Sequence, residues 1–294
     1  MPGLEIHALS GLRGEAAGLL AERFARQRQA EPLLPEIDDF EPHLPDAGHV
    51  ATRGGEAVAY LGGELDGDIA RWGFAGHAAT EPEALRDLFA LQARELGVTR
   101  FMLTVPATDQ ALVDVWFRLA FGCQAVWAVR EVAPLETRFD GSIRAARPED
   151  VEAMIDFDEL LYEYQAESPS FSELMTPPRE ELRREWDDAW DGTFIAFVAE
   201  QDGVMVGMLG LYRRPEGDLR VPARNIDLAF AATRPEAQGQ GIGLALTAHA
   251  LDWARSEGFA SMTVDWRSVN LLSSRFWPRR GFRPQYLRLY RAVP

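Results

Sequence analysis

The strongest constraint on how this chain folds is an internal repeat, because a shift of 161 residues places the end of the first half on the end of the second. The segment that begins at Leu91 falls on the segment that begins at Asp252, and Trp116 then falls on Trp277. Each copy reads as a helix, a glycine, a buried strand, a polar loop, a second helix and a final strand. A chain of 294 residues with such a repeat is expected to contain two similar domains.

The repeat also predicts the domain boundary. A polar connector with proline and glycine lies between the copies, and we predict a first domain over residues 1–136, a linker over 137–141 and a second domain over 142–294. Short strands alternate with helices and hairpins in both halves, which predicts an α/β fold with a mixed, α+β type of sheet. Asp109 and Asn270 stand at equivalent positions, and both residue types favour a helix N-cap.

The composition excludes several classes of enzyme. All 30 basic residues are arginine, so the chain has no lysine for a phosphate-loop nucleotidase, a protein kinase or a Schiff base with pyridoxal phosphate. The formal net charge of −16 argues against nucleic acid or an anionic membrane as a partner. A cationic partner suits this charge better.

Features of secreted and membrane proteins are also missing from the sequence. With Cys123 as its single cysteine, the chain has neither an internal disulfide nor a zinc site built from several cysteines. Charges at Glu5 and Arg13 interrupt the N-terminal segment, so we do not expect a signal peptide. The longest uncharged run, residues 237–251, is too short and too polar to cross a bilayer. We therefore predict a cytoplasmic protein without a bound metal.

The sharpest local signal is a glycine-rich turn between a predicted strand and a helix. Gly239, Gly241 and Gly243 alternate along it, and such a turn exposes backbone N–H groups beside the positive end of a helix, where phosphate binds. The dinucleotide fingerprint needs Gly or Ala three residues after its second glycine, but Leu244 and Leu246 occupy those positions. A nicotinamide site is therefore excluded, whereas a phosphate site and a simple tight turn both stay open.

Around this turn the sequence resembles the GCN5-related N-acetyltransferases, the GNAT family, whose pyrophosphate loop reads Gln/Arg-x-x-Gly-x-Gly/Ala. Gln238, Gly241 and Gly243 fill that pattern. Farther along, Asn270 and Ser273 match the family's Asn-x-x-Ala/Ser element, and a Gly-Phe pair follows. The resemblance covers the predicted second domain, and the predicted first domain would be a second, diverged copy of the same fold.

The resemblance implies acetyl-CoA as co-substrate and transfer of its acetyl group to the amine of a small molecule, by direct attack in a ternary complex. It also implies that acetyl-CoA is held by the open end of the strand before the loop, by the loop and by the following helix. The residues concerned are Ala231, Ala232, Thr233, Gln238, Gly239, Gln240, Gly241, Ile242, Gly243, Leu244, Asn270, Ser273 and Trp277.

Two carboxylates are candidates for the catalytic base. Asp265 lies in an otherwise apolar strand five residues before Asn270, the spacing at which some N-acetyltransferases carry a glutamate base. Desolvation at the mouth of a site would raise the pKa of the Asp265 carboxylate and make it a better general base. Asp227, on the strand before the loop, is the reserve candidate. Either carboxylate could instead form an ion pair with an arginine such as Arg267.

Two departures from the family pattern keep other functions open. Trp277 occupies the position where many members carry a tyrosine that protonates the leaving thiolate. A catalytically silent acyl-CoA-binding or regulatory protein is therefore an alternative. In the first half, the loop corresponds to residues 77–82, which contain no glycine and include Pro82, so this copy is expected to be degenerate. The tandem arrangement resembles mycothiol synthase-type proteins, which implies a sugar-linked amine as a further alternative acceptor.

Charge patterns indicate how an acceptor and the coenzyme would be recognised. Residues 149–191 contain 15 Asp and Glu against 3 Arg. This segment would form an acidic, aromatic wall for a cationic amine, although a solvated helix face is the alternative. The opposite pattern, arginines without acids, runs over residues 275–291, and some of these arginines are expected near CoA phosphates. The residues singled out on the acidic wall are Asp158, Glu159, Tyr162, Glu163 and Tyr164.

The oligomeric state is a separate question, and the tandem domains are compatible with a monomer.

Overall fold

A computed structural model of the chain describes residues 3–167, 169, 176–215 and 217–293. Strands and helices alternate along it, as the repeat predicts. The elements of the first half are β1 (Leu4–Ala8), α1 (Arg13–Ala30), β2 (Gly48–Arg53), β3 (Glu56–Gly62), β4 (Glu64–Asp66), β5 (Ile69–Trp72), β6 (His77–Ala79), α2 (Ala84–Leu96), β7 (Arg100–Pro106), α3 (Gln110–Arg118) and β8 (Gly122–Glu131).

The second half has a similar succession of elements. These are β9 (Ser142–Ala145), α4 (Val151–Ala166), α5 (Arg179–Asp188), β10 (Phe194–Gln201), β11 (Val204–Tyr212), β12 (Asn225–Thr233), α6 (Ile242–Ser256), β13 (Ser261–Arg267), α7 (Leu271–Phe276) and β14 (Arg283–Ala292). Parallel and antiparallel strand pairs both occur, which confirms the predicted α/β fold with mixed sheets. None of the helices in the described ranges combines the length and apolar character that a membrane crossing requires.

Both predicted N-caps are confirmed. The Asp109 side chain accepts a hydrogen bond from the backbone N–H of Leu112 at 3.2 Å, at the start of α3. The Asn270 side chain accepts from the N–H groups of Leu272 at 3.0 Å and Ser273 at 3.4 Å, at the start of α7. The repeat therefore places the same capping interaction after β7 and after β13.

The described chain divides into two compact units. The first comprises Met1–Trp127, Gly217–Val221 and Pro284–Pro294, and the second comprises Ala128–Glu216 and Pro222–Arg283. In the first unit, β1, β2, β3 and β6 form one antiparallel sheet in that order, while β4, β5, β7 and β14 follow one another in a second sheet. Helix α1 packs on β3 and β6, and α2 packs on β2 and β3.

The last strand of the chain belongs to the first unit. β14 pairs antiparallel with β7, with Tyr286 opposite Pro106. Tyr286 and Leu289 are fully buried in the hydrophobic cores of that unit. The second unit therefore ends at residue 283, whereas the predicted domain runs over 142–294. The predicted boundaries stay a prediction, because the residue pattern of a strand does not specify which sheet it joins.

In the second unit, β13, β12, β11, β10 and β9 lie side by side in that order. Helix α4 packs on α5, β11 and β12, and α6 packs on β10, β11 and β12. Gly207 on β11 allows α6 to come close, since a Cβ there would lie only 2.7 Å from the Ile242 side chain. Gly207 also lies opposite Thr233, the last residue of β12, so this packing places the start of α6 beside the end of β12.

Strand β12 loses one of its partners halfway along its length. Its parallel pairing with β13 ends where Leu228 lies opposite Val264. Its pairing with β11 continues, but the register shifts between Gly210 and Leu211, which leaves Ala229 as an extra, bulged residue. Beyond this bulge the β13 side of β12 has no strand partner among the described residues.

Candidate active site

The glycine loop begins where β12 ends. After Thr233 the chain forms a short 3-10 turn, Pro235–Ala237, and passes through residues 238–241 into α6. Gly239 and Gly241 have φ angles of +81° and +83°, a left-handed conformation that side chains disfavour. The two glycines therefore allow the sharp turn that starts α6 close to the strand.

The loop and the first turn of α6 present unused hydrogen-bond donors. Within the described part of the chain, the backbone N–H groups of residues 239–244 have no acceptor. The first N–H that is bonded belongs to Ala245, which donates to the carbonyl of Gly241 at 2.9 Å. No side chain caps this helix, which is 15 residues long. Six free N–H groups at the positive end of a helix form an anion-binding site.

These donors border a cavity of about 460 Å³, here called the coenzyme cavity after the ligand that the sequence resemblance implies. Its walls come from the end of β12, the loop, the start of α6, the region of α7 and one face of α4. Gln240 lies outside it, and its amide donates to the carbonyl of Glu236 at 3.4 Å on the exposed side of the loop. The other twelve residues predicted to hold acetyl-CoA line the cavity: Ala231, Ala232, Thr233, Gln238, Gly239, Gly241, Ile242, Gly243, Leu244, Asn270, Ser273 and Trp277.

The wall formed by α4 was not predicted as part of the coenzyme site. Leu160, Leu161 and Tyr164 line the coenzyme cavity, and the Tyr164 hydroxyl accepts a hydrogen bond from the Gln238 amide at 3.3 Å. The partners of that bond are 74 positions apart in the chain. A local pattern carries no signal for such a contact, because packing between distant elements creates it.

Arg280 supplies a positive charge to the coenzyme cavity. Its guanidinium lies over the ring of Phe276 at 4.0 Å, and its Nε has no partner among the described atoms. Burial, with a smaller contribution from neighbouring Arg279, lowers its pKa, yet an arginine remains charged near neutral pH. Arg280 lies within the arginine-rich stretch that the sequence placed near CoA phosphates.

Trp277 lines the coenzyme cavity and is buried. Its ring makes edge-to-face contacts with Phe276 and Phe282, with centroids 4.8 Å and 5.5 Å apart. The backbone N–H of Trp277 donates to the carbonyl of Ser273 at 3.1 Å. Trp277 is thus both part of the wall and a core residue that holds α7 in place.

Asp227 does not line the coenzyme cavity and is fully engaged elsewhere. One carboxylate oxygen forms an ion pair with Arg214, and the other accepts a hydrogen bond from the Thr263 hydroxyl at 2.7 Å. The residue is buried. Of the two interpretations that the sequence left open, the ion pair is present for Asp227, although its arginine is Arg214 rather than Arg267.

Asp265 is exposed, which corrects the expectation that its strand would desolvate it. It follows Val264 directly, and Val264 is the last residue of β13 paired with β12. Its neighbours along β13, Val264 and Trp266, are buried. Asp265 therefore lies where β12 and β13 cease to pair, outside the residues that line the coenzyme cavity.

The acidic segment over 149–191 has a mixed role, and its residues 168 and 170–175 lie outside the described residues. Glu159 forms an ion pair with Arg179 at 2.5 Å, and Glu163 is exposed, as a solvated helix face predicts. Asp158 and Tyr162 instead line a second cavity of about 360 Å³, here called the acidic cavity.

The first unit fills the corresponding stretch with hydrogen bonds. Residues 77–79 form β6, which pairs with β3, and the N–H groups of Thr80 and Glu81 both donate to the carbonyl of Val58. Glu81 also forms an ion pair with Arg53 at 2.9 Å. The N–H groups of Thr80 and Glu81 are therefore already bonded, unlike those of residues 239–244.

No group of three or more potential metal ligands from His, Cys, Asp and Glu comes together within the described ranges.

Comparisons with known proteins agree with this geometry. Residues 158–282 match the model of the acetyltransferase (GNAT) family. No curated protein sequence matches the chain significantly. The solved structure of a GCN5-related N-acetyltransferase from Sphaerobacter thermophilus is similar, with a TM-score of 0.63 and 13% identity over 98% of this chain and 95% of that one.

Two further structures resemble the chain. A GNAT-family acetyltransferase from Colwellia psychrerythraea aligns over 99% of this chain and 100% of its own, with a TM-score of 0.53 and 12% identity. A GCN5-related glucosamine N-acetyltransferase region of a fungal multi-domain β-N-acetylglucosaminidase aligns over 99% of this chain and 38% of that one, with a TM-score of 0.52 and 14% identity. At such low identity these likenesses establish the fold. The family match identifies residues 158–282 as a GNAT-type acetyltransferase domain.

Proposed function

We propose that this protein transfers the acetyl group of acetyl-CoA to the amine of a small molecule, by direct attack within a ternary complex. The observation that carries the proposal is the row of free N–H groups over residues 239–244, beside the end of β12 that lacks a partner. The pyrophosphate of acetyl-CoA is an anion that such a row binds. Arg280, at the same cavity, adds a charge for a phosphate.

The open end of β12 suits the reacting end of the coenzyme. Ala231, Ala232 and Thr233 are small and line the cavity, so a bound chain can approach their backbone closely. On the side that β13 leaves uncovered, backbone N–H and C=O groups are available to the pantetheine amides. A backbone N–H there would also stabilise the oxygen of the thioester carbonyl as negative charge develops on it.

The residues around the coenzyme cavity support direct transfer of the acetyl group, without a covalent intermediate on the enzyme. Cys123 lies in the first unit, where its thiol contacts the carbonyl of Ala125, so no thiol lines the coenzyme cavity to carry the acetyl group. The amine nitrogen attacks the thioester carbon, the C–S bond breaks and its electron pair leaves with sulfur. The ammonium gives one proton to a base before attack, and the second proton that nitrogen loses converts the thiolate to a thiol.

Asp265 is the proposed base, because it lies where β12 and β13 cease to pair and because Asp227 is held by Arg214. Since Asp265 is exposed and does not line the cavity, a water molecule would relay the proton. Asp265→Asn is expected to lower kcat roughly a hundredfold or more with little change in acetyl-CoA affinity. Asp252→Asn is the control, because Asp252 is also an exposed carboxylate and its ion pair with Arg255 lies outside the coenzyme cavity. An unchanged kcat and pH profile would remove Asp265 from the mechanism.

The test of the function is a product assay with a panel of primary amines that includes glucosamine. Thiol release from acetyl-CoA is followed together with the mass of the amine, and an increase of one acetyl group per thiol released is expected. Acetyl-CoA binding is measured in parallel. Binding without amine-dependent thiol release would contradict an enzyme acting on such amines and favour a silent acyl-CoA-binding protein.

A further inference from the structure

The coenzyme cavity and the acidic cavity adjoin each other and differ in charge. Leu161 on α4 lines both of them. Along β12, Ala229 and Phe230 border the acidic cavity, and the next residue, Ala231, borders the coenzyme cavity. The coenzyme cavity offers free N–H groups and Arg280, whereas the residues described around the acidic cavity include Asp158 and Glu185 and no basic side chain. A cavity with free N–H donors and an arginine and a cavity with an acidic lining thus share Leu161.

Aromatic rings form one wall of the acidic cavity. Phe194 and Phe230 stack with their planes 11° apart and their centroids 5.8 Å apart. Trp186 meets both rings edge-on, at 5.2 Å and 5.9 Å. Ring faces and edges of this kind pack against an apolar body, and they attract a cation placed above a face.

Asp158 connects the charged and the aromatic parts of this cavity. One of its carboxylate oxygens accepts a hydrogen bond from the Trp186 indole N–H at 2.5 Å, which fixes the carboxylate against the wall. Its other oxygen has no hydrogen-bond partner among the described residues. A half-buried carboxylate with one free oxygen, in a cavity without a basic residue, lacks a counter-ion.

We propose, on the basis of the proposed function, that the acidic cavity is the acceptor site and that it takes a primary ammonium group carried on a compact apolar body, with Asp158 as the counter-ion. The volume of about 360 Å³ suits a molecule of this size. The bulge at Ala229 brings the cavity next to the open end of β12, where the thioester would lie. The amine would therefore bind beside the carbon that it attacks.

The ionisation of Asp158 makes the proposal dependent on pH. The pKa of Asp158 is raised to about 6, chiefly by burial; the hydrogen bond from Trp186 lowers it, and repulsion from Glu185 and Glu159 raises it. Tyr162, whose pKa is also raised, chiefly by burial, stays neutral. Because the ammonium needs an ionised Asp158, its affinity is expected to rise from pH 5 to pH 7 and then to level off.

The probe is 2-phenylethylamine, which is protonated at these pH values, and 2-phenylethanol is its uncharged analogue. Binding to the full chain is measured by titration calorimetry, with and without saturating CoA. We expect the amine to bind and the alcohol to bind at least tenfold more weakly. Asp158→Asn keeps an oxygen for the Trp186 bond but loses the charge, and we expect it to weaken amine binding roughly tenfold or more and to flatten the pH dependence.

Glu163→Gln removes one negative charge from the same helix at an exposed position, and it should leave the affinity unchanged. Glu185→Gln is a second variant at an exposed residue, so it tests the charge of the cavity without disturbing the fold, and a severalfold loss is expected. Equal binding by wild type and Asp158→Asn, equal binding of amine and alcohol, or no binding of the amine would each overturn the proposal. Acetyl-CoA affinity, measured separately, shows whether the proposed function fails instead.

Discussion

Residues 238–244 and residues 77–83 occupy the same place in the 161-residue repeat but bond in opposite ways. In the second half, glycines at 239 and 241 adopt left-handed φ angles, and the N–H groups of residues 239–244 stay free of protein acceptors among the described residues. In the first half, the same positions enter β6 and the loop before α2, where N–H groups pair with β3 and with Val58. Charge differs too, since Glu81 stands where Ile242 stands in the other copy.

The two copies share their structural features but differ in the residues that form the candidate site. Both copies keep the capped helix after a buried strand, and both keep a buried tryptophan, Trp116 or Trp277. Trp116 donates its indole N–H to His77 at 3.2 Å, whereas Trp277 borders the coenzyme cavity. Among the described residues, the same architecture therefore leaves N–H groups free beside a cavity in one copy and bonds them in the other, and the difference lies in the backbone bonding of seven residues.

We expect the largest effect, a loss of acetyl-CoA affinity, when the loop of the second half receives the proline that the first half carries at the equivalent position. Gly243→Pro, the counterpart of Pro82, removes one free N–H in the first turn of α6, where proline is tolerated. Its Cβ would meet the Phe276 ring at 3.4 Å, an ordinary contact. We expect acetyl-CoA affinity to fall ten- to hundredfold, the scale of one hydrogen bond to a charged group, as measured by titration calorimetry.

Two controls accompany this variant. Pro82→Ala, at the corresponding place in the first unit, and Gln240→Ala, in the same loop but outside the cavity, should both keep wild-type affinity. Wild-type affinity of Gly243→Pro in a folded protein would show that the N–H groups of this turn do not hold the coenzyme.

The next largest effect is expected on the free energy of unfolding, when the first residue of each equivalent stretch, at position 77 or 238, is replaced. His77 is fully buried, and burial, aided by the charge of Arg23, lowers its pKa, so it is neutral. His77→Ala leaves a cavity and an unpaired Trp116 indole, and it should cost about 2 kcal/mol or more of unfolding free energy. Gln238→Ala, at the exposed counterpart, should change stability by less than about 0.5 kcal/mol.

Urea unfolding monitored by circular dichroism gives both values, and acetyl-CoA affinity is measured on the same samples. His77→Ala should bind acetyl-CoA as wild type does once it is folded. A loss of affinity in His77→Ala without a loss of stability would mean that the first copy takes part in binding.

The smallest effect is expected at Trp277, although it stands at the position of a catalytic tyrosine in many relatives. An indole N–H is far too weak an acid to give up its proton, and a thiol with a pKa of about 8.5 leaves without an acid. Trp277→Phe should therefore keep kcat within roughly tenfold of wild type, since a general acid would contribute about a hundredfold. Loss of turnover in a folded variant that still binds acetyl-CoA would assign the indole a specific role.

Local patterns predicted the parts of this molecule that depend on neighbouring residues. The glycine spacing of the loop, the caps at Asp109 and Asn270 and the missing glycines of the first copy are all properties of short segments. Each follows from backbone geometry or from a single side-chain bond. The residues expected to hold acetyl-CoA, in contrast, were implied by the resemblance to the GNAT family.

Features that depend on packing between distant segments escaped prediction. Tyr164 reaches the loop from α4, and Arg214 takes the carboxylate of Asp227 from the chain that follows β11. The exposure of Asp265 depends on what packs against that face of β13, and the place of β14 depends on which sheet accepts it. In each case the sequence specified the residue type and the element, but not its partner.

The most direct test of the difference between the two copies is the number of acetyl-CoA molecules that one chain binds. Titration calorimetry on the full chain, with protein concentration fixed by absorbance, measures this number without an acceptor amine. Free N–H groups in only one of the two equivalent stretches predict one acetyl-CoA per chain. Two molecules per chain, or one that binds Gly243→Pro as tightly as wild type, would contradict the account.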